Sequence, residues 1–86
     1  ESKRQVNLSV PQLGLLARLQ VETGIFSKED IGATFQFFAQ HYTTPRTSFI
    51  SASSLQKKSL NIDTSSAMAL KSILLQQINW INKRFD

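Results

Sequence analysis

The chain has 86 residues and a formal net charge of +4, with ten Lys and Arg against six Asp and Glu. A chain this short makes one domain with one modest core, since folding at this size buries only roughly 60–65% of the unfolded surface. It has no cysteine, which excludes disulfides and thiolate metal sites, and no apolar run of membrane-spanning length.

Residues 1–8 are polar and charged and read as a flexible arm or linker, leaving residues 9–86 as a single helical domain. The start at Glu1, with no signal-peptide pattern, suits the carboxy-terminal domain of a longer protein. The first helix is predicted over 10–23. Ser9 and Gln12 form a capping-box pair, Pro11 sits in the first turn, and Gly24 is placed to end the helix in the left-handed region. Its apolar residues leave only a strip at Arg18 and Glu22, as expected of a central helix. Gly14 inside it predicts a close crossing with a neighbour.

Ser27 caps a second helix over 28–42, with Glu29 and Asp30 in its first turn and a face formed by Ile31, Phe35, Phe38 and Tyr42. The stretch 43–50 (TTPRTSFI) is a loop, and Phe49 and Ile50 are expected to turn inward. Ser51 caps a short third helix over 52–59, on which Ala52, Leu55 and Ser59 share a face while Ser53 and Lys57 point outward. Asp63 or Thr64 caps the last helix, 65–84. Its core stripe is predicted as Ala67, Leu70, Leu74, Ile78, Ile81 and Phe85, widened by Ile73 and Trp80. Nothing alternates as a strand does. The predicted fold is an all-α bundle of about four helices, with a helix-turn-helix-like arrangement as one option.

Catalysis finds little support. His41 is the sole histidine and sits where a helix C-terminus explains it, and the six acids fall mostly at helix starts or chain ends. No metal-ligand set, phosphate loop or nucleophile–base pair is patterned, so the expectation is a non-enzyme with no cofactor, metal or small-molecule substrate.

Two binding readings remain open. The third helix (SASSLQKKS) has the composition of a recognition helix: Ser53, Ser54, Gln56, Lys57 and Lys58 offer donors to double-stranded DNA, and Arg46 in the preceding loop is placed to reach the phosphates. Alternatively, Phe37, Met68 and Leu75 lie off the main apolar stripes and offer a surface for a protein partner or a second copy.

The order NLSVPQLGLLARLQVETGIF, an acid-opened helix ending FFAQHYTT, then ISASSLQKKSL and a long helix ending INWINKRF resembles small helical domains of Bacteroidetes proteins. In plan the chain is similar to the carboxy-terminal domain of the RteC regulators of conjugative transposons. Leu13, Leu16, Leu19, Gly24 and Ile25 match that family's opening pattern. The resemblance implies a winged-helix-like, cytoplasmic DNA-binding regulator of a mobile element, with Ser53, Ser54, Gln56, Lys57 and Lys58 facing the groove. No strand pair patterned as a wing is visible.

Overall fold

The structure, a computed structural model, describes residues 3–86. Four α-helices carry the fold: α1 (Val10–Glu22), α2 (Ile31–His41), α3 (Ala52–Leu60) and α4 (Thr64–Phe85). A 3₁₀ turn, Lys28–Asp30, leads into α2.

Local chemistry sets the helix ends. Ser9 Oγ accepts from the Gln12 amide, and Gln12 Oε1 accepts from the Ser9 amide, completing the capping box. The same Gln12 side chain donates from Nε2 to the Ser66 carbonyl, fastening the start of α4 to the start of α1. Gly24 turns the chain at φ 85°. Ser27 and Ser51 cap as expected, the first capping the 3₁₀ turn rather than α2 itself. Asp63 caps α4, accepting from the Ser66 amide and the Ser65 hydroxyl. These hydrogen bonds stabilise the carboxylate and lower its pKa from 3.8 to about 2, the Ser65 hydroxyl first among them.

The core lies where α1, α2 and α3 meet. Leu13, Ala17, Phe35, Ala39, Ile50 and Leu55 form one buried cluster, flanked by the partly buried Val10, Ile31, Phe38 and Tyr42. Each fully buried large side chain contributes about 1.5–3 kcal/mol. As predicted, α1 is central, touching all three other helices, and Gly14 is its closest approach to α3. Arg18 on the polar strip is drawn inward: its Nε donates to the buried Ser59 hydroxyl at 2.9 Å, and its guanidinium lies 5.6 Å from the Phe35 ring.

Three expectations need correction. Residues 3–8 are not a free arm. Arg4–Gln5 (β1) pairs in parallel with Tyr42–Thr43 (β2), the Val6 amide donates to the Thr43 carbonyl, and Lys3 Nζ donates to the Ala39 carbonyl. Two-residue strands are too short to show alternation, so nothing in the sequence marked them. Ile50 turns inward, but Phe49 is 74% exposed, with the Lys3 ammonium 5.3 Å from its ring. The largest departure is in α4. Of its predicted core stripe only Leu70 is fully buried, at 2% exposure. Ala67 and Leu74 are half-buried, and Ile78, Ile81 and Phe85 lie in solvent at 51%, 55% and 79%. The helix outruns its neighbour: 22 residues span about 33 Å, whereas the 13 of α1, its main packing partner, span about 20 Å.

No helix of the described residues is long and apolar enough to cross a membrane.

Candidate nucleic-acid interface

Charge is distributed unevenly along the sequence. Between Asp30 and Asp63 the chain carries Arg46, Lys57 and Lys58 and no acidic residue. The fold turns this bias into geometry. Glu22, the last residue of α1, pairs with Arg18 at 3.7 Å and with Lys28 at 3.8 Å, and Glu29 and Asp30 follow Lys28 in the 3₁₀ turn. At the opposite end of α1, about 20 Å away along the helix, stand Arg46 and Lys58.

Arg46 is held there by a tight turn. Thr44 and Thr47 exchange backbone hydrogen bonds of 3.1 and 3.3 Å, with Pro45 and Arg46 at the tip. Proline's fixed φ suits the first central position of such a turn, which points the next side chain away from the body of the protein. Thr44 is buried and Arg46 exposed, so the turn is anchored at its base and charged at its tip.

A groove of about 480 Å³ opens between this turn, residues 7–12 and Lys58 of α3. Arg46 and Lys58 therefore line one concave surface with the N-terminal end of α1, where the helix dipole adds partial positive charge. A smaller cleft of about 290 Å³ adjoins it, lined by Thr47, Phe49, Ser51, Ser54 and again Lys58. Lys58 borders both.

Of the residues singled out in the sequence, the fold thus joins Arg46, Ser54 and Lys58. Ser53 and Lys57 are exposed on α3 but line neither cleft, and Gln56 is half-buried, its carbonyl accepting from the Ser59 hydroxyl. The segment from Asn7 to Gln12 and the Thr44–Thr47 turn escaped sequence reasoning as parts of the site. The Pro45–Arg46 pair was the signal for the turn, while nothing local announced that the turn would fold against Ser9. The loop from Tyr42 to Ser51 joining α2 to α3 is much longer than the 3–4 residues of a tight helix-turn-helix, although α2 and α3 do pack on each other.

The alternative surface is not brought together in the same way. Phe37, Met68 and Leu75 are each about half exposed. Phe37 borders a cleft of about 270 Å³ with Phe26 and Phe38, and Met68 and Leu75 stand apart from it on α4.

His41 packs against Phe37 with ring centroids 4.2 Å apart and the ring planes tilted by 40°. Among the described residues no three His, Cys, Asp or Glu side chains come together as a metal-binding group.

Comparison of the chain with protein-family models, with curated proteins and with solved structures gave no match.

Proposed function

We propose that this domain is a non-catalytic DNA-binding module that docks on the phosphate backbone. The observation that carries the reading is the shared groove of Arg46 and Lys58 at the N-terminal end of α1. Two cations and a helix N-terminus converge on one concave surface, while Glu22, Glu29 and Asp30 lie toward the other end of that helix. A duplex approaching the basic end meets favourable potential and is turned from the acidic end. Lys57 and Ser53, exposed on the helix that carries Lys58, add donors outside the groove, and Ser54 lies in the adjoining cleft. The resemblance to RteC regulators supports the finer reading of a regulatory module of a mobile-element protein, acting in the bacterial cytoplasm.

The test is fluorescence anisotropy with labelled mixed-sequence duplex DNA at low and moderate salt. The wild-type domain binds with an affinity that falls steeply as salt rises. Arg46→Ala/Lys58→Ala binds more weakly, and its log–log salt slope is shallower by roughly 0.9 for each phosphate contact removed. Absence of binding at low salt would overturn the proposal.

A further inference from the structure

Phe49 stands 74% exposed in the segment between the Thr44–Thr47 turn and α3. A single exposed aromatic is ordinary on a protein surface, but the neighbours of this one are all of one kind. Lys3 Nζ lies over the ring, 5.3 Å from its centroid, while donating to the Ala39 carbonyl at 3.1 Å. The ammonium is thereby tied to the last turn of α2 and holds the ring by a cation–π contact. On the α3 side, Phe49 lines the cleft of about 290 Å³ together with Lys58. That cleft runs into the groove of Arg46, since Val10, Thr47 and Lys58 border both. Among the described residues, none that lines either cleft is acidic.

We propose, resting on the reading that this face binds DNA, that its preferred ligand is an unpaired stretch of strand. One base stacks on Phe49 while the neighbouring phosphates lie along Lys58 and Arg46. The chemistry of the two forms of DNA separates them. In a duplex each base is stacked between its neighbours, and the backbone offers phosphate and sugar. Arg46 and Lys58 serve such a ligand, but an exposed phenyl ring gains little from it. An unpaired strand offers base faces as well as phosphates, and proteins that hold one combine a positive groove with an aromatic platform. Here the platform and the groove share a wall at Lys58. Lys3 already restrains the ring, so less side-chain freedom is lost when a base settles on it. Every base has a π-face, so little sequence preference is expected.

Fluorescence anisotropy over a range of salt compares three labelled ligands. These are a short oligothymidylate, an abasic strand of the same length, and the mixed-sequence duplex. The wild-type domain is expected to bind oligothymidylate more tightly than the abasic strand, which has its charge but no bases. Phe49→Ala, at an exposed site, should leave the far-ultraviolet circular dichroism unchanged. It is expected to weaken oligothymidylate binding at least about fivefold at every salt concentration. Its salt slope should match that of the wild type, because stacking releases no counterions. Its affinities for the abasic strand and the duplex should also match. Phe49→Tyr keeps the aromatic face and should retain the affinity, whereas Phe49→Leu keeps apolar bulk alone and should not. Arg46→Ala/Lys58→Ala should instead flatten the salt slope for all three ligands.

A Phe49→Ala chain that binds oligothymidylate like the wild type, or that loses the abasic strand equally, would overturn the proposal. Duplex binding in that same chain would leave the DNA-binding reading standing. A duplex that fails to bind where oligothymidylate binds would remove docking on duplexes alone. Failure of all three ligands at low salt would overturn both.

Discussion

Gly14 crosses α3 at the backbone carbonyl of Leu55. A Cβ built on Gly14 would stand 2.6 Å from that oxygen and 3.2 Å from the Cβ of Ser59. The contact fixes the distance between the two helices that form most of the core, and it keeps α3 close enough for Arg18 to reach Ser59. Gly14→Ala therefore sets two effects against each other. Alanine gains about 1 kcal/mol of helix propensity, while a backbone oxygen cannot swing aside as a flexible side chain can, and overpacking costs typically about 1–3 kcal/mol. The clash prevails. Urea denaturation is expected to show a net loss of stability, and a stabilised Gly14→Ala would show that the helices separate without penalty.

Leu70 and Ile78 belong to the same stripe of α4 and are predicted to respond oppositely to truncation. Leu70→Ala opens a cavity in a site 2% exposed and should cost about 2–5 kcal/mol. Ile78→Ala, at 51% exposure, should change stability by no more than about 0.5 kcal/mol, measured by the same urea denaturation. Equal losses at the two positions would mean that α4 is covered along its whole length within one chain.

The α4 cap gives stability an acid-sensitive component. Asp63 titrates near 3.8 unfolded and near 2 folded, because Ser65 and Ser66 donate to its ionised form. A carboxylate with a depressed folded pKa stabilises the fold fully above the unfolded value, and the contribution is lost as pH falls through the folded one. Asparagine still caps but does not titrate. The difference in stability between wild type and Asp63→Asn is thus expected to be flat above pH ~4–5 and to change in the variant's favour between about pH 4 and pH 2. Thermal unfolding of both chains over that range measures it. A difference that stays constant down to pH 2 would remove the cap's titration from the account.

Placement, rather than charge count, should govern DNA affinity. Lys28 stands at the acidic end of α1, paired with Glu22, and Lys58 lines the groove at the basic end. Each loses one positive charge on mutation to alanine. Lys58→Ala is expected to weaken binding and reduce the salt slope, while Lys28→Ala leaves both near wild type. Equal losses in anisotropy titrations would point to diffuse attraction by net charge instead of a site.

Much of the fold was legible because its signals are local. A cap is a contact between residues three apart, so Ser9 with Gln12, Ser51 with Ser54, and Asp63 with Ser66 could be read directly from spacing. The helical periods between caps are equally local, and the four predicted helices match the observed ones to within three residues at every end. For the candidate site, Arg46, Ser54 and Lys58 were recognisable by type, and for the core crossing, Gly14 was recognisable by its oddity inside an apolar helix.

What remained hidden depends on contacts between residues distant in sequence. Arg4 pairing with Tyr42, and the Pro45–Arg46 turn closing a groove against Ser9, join segments some 35–40 positions apart, and no local pattern encodes them. Phe49 and Ile50 are adjacent and equally apolar, yet one is exposed and the other buried, because the chain passes the core with a single side chain directed inward. The stripe of α4 shows the same division. Its apolar spacing belongs to the sequence and persists to Phe85. Burial needs a neighbour alongside, and in a single chain α1 ends too soon to provide one.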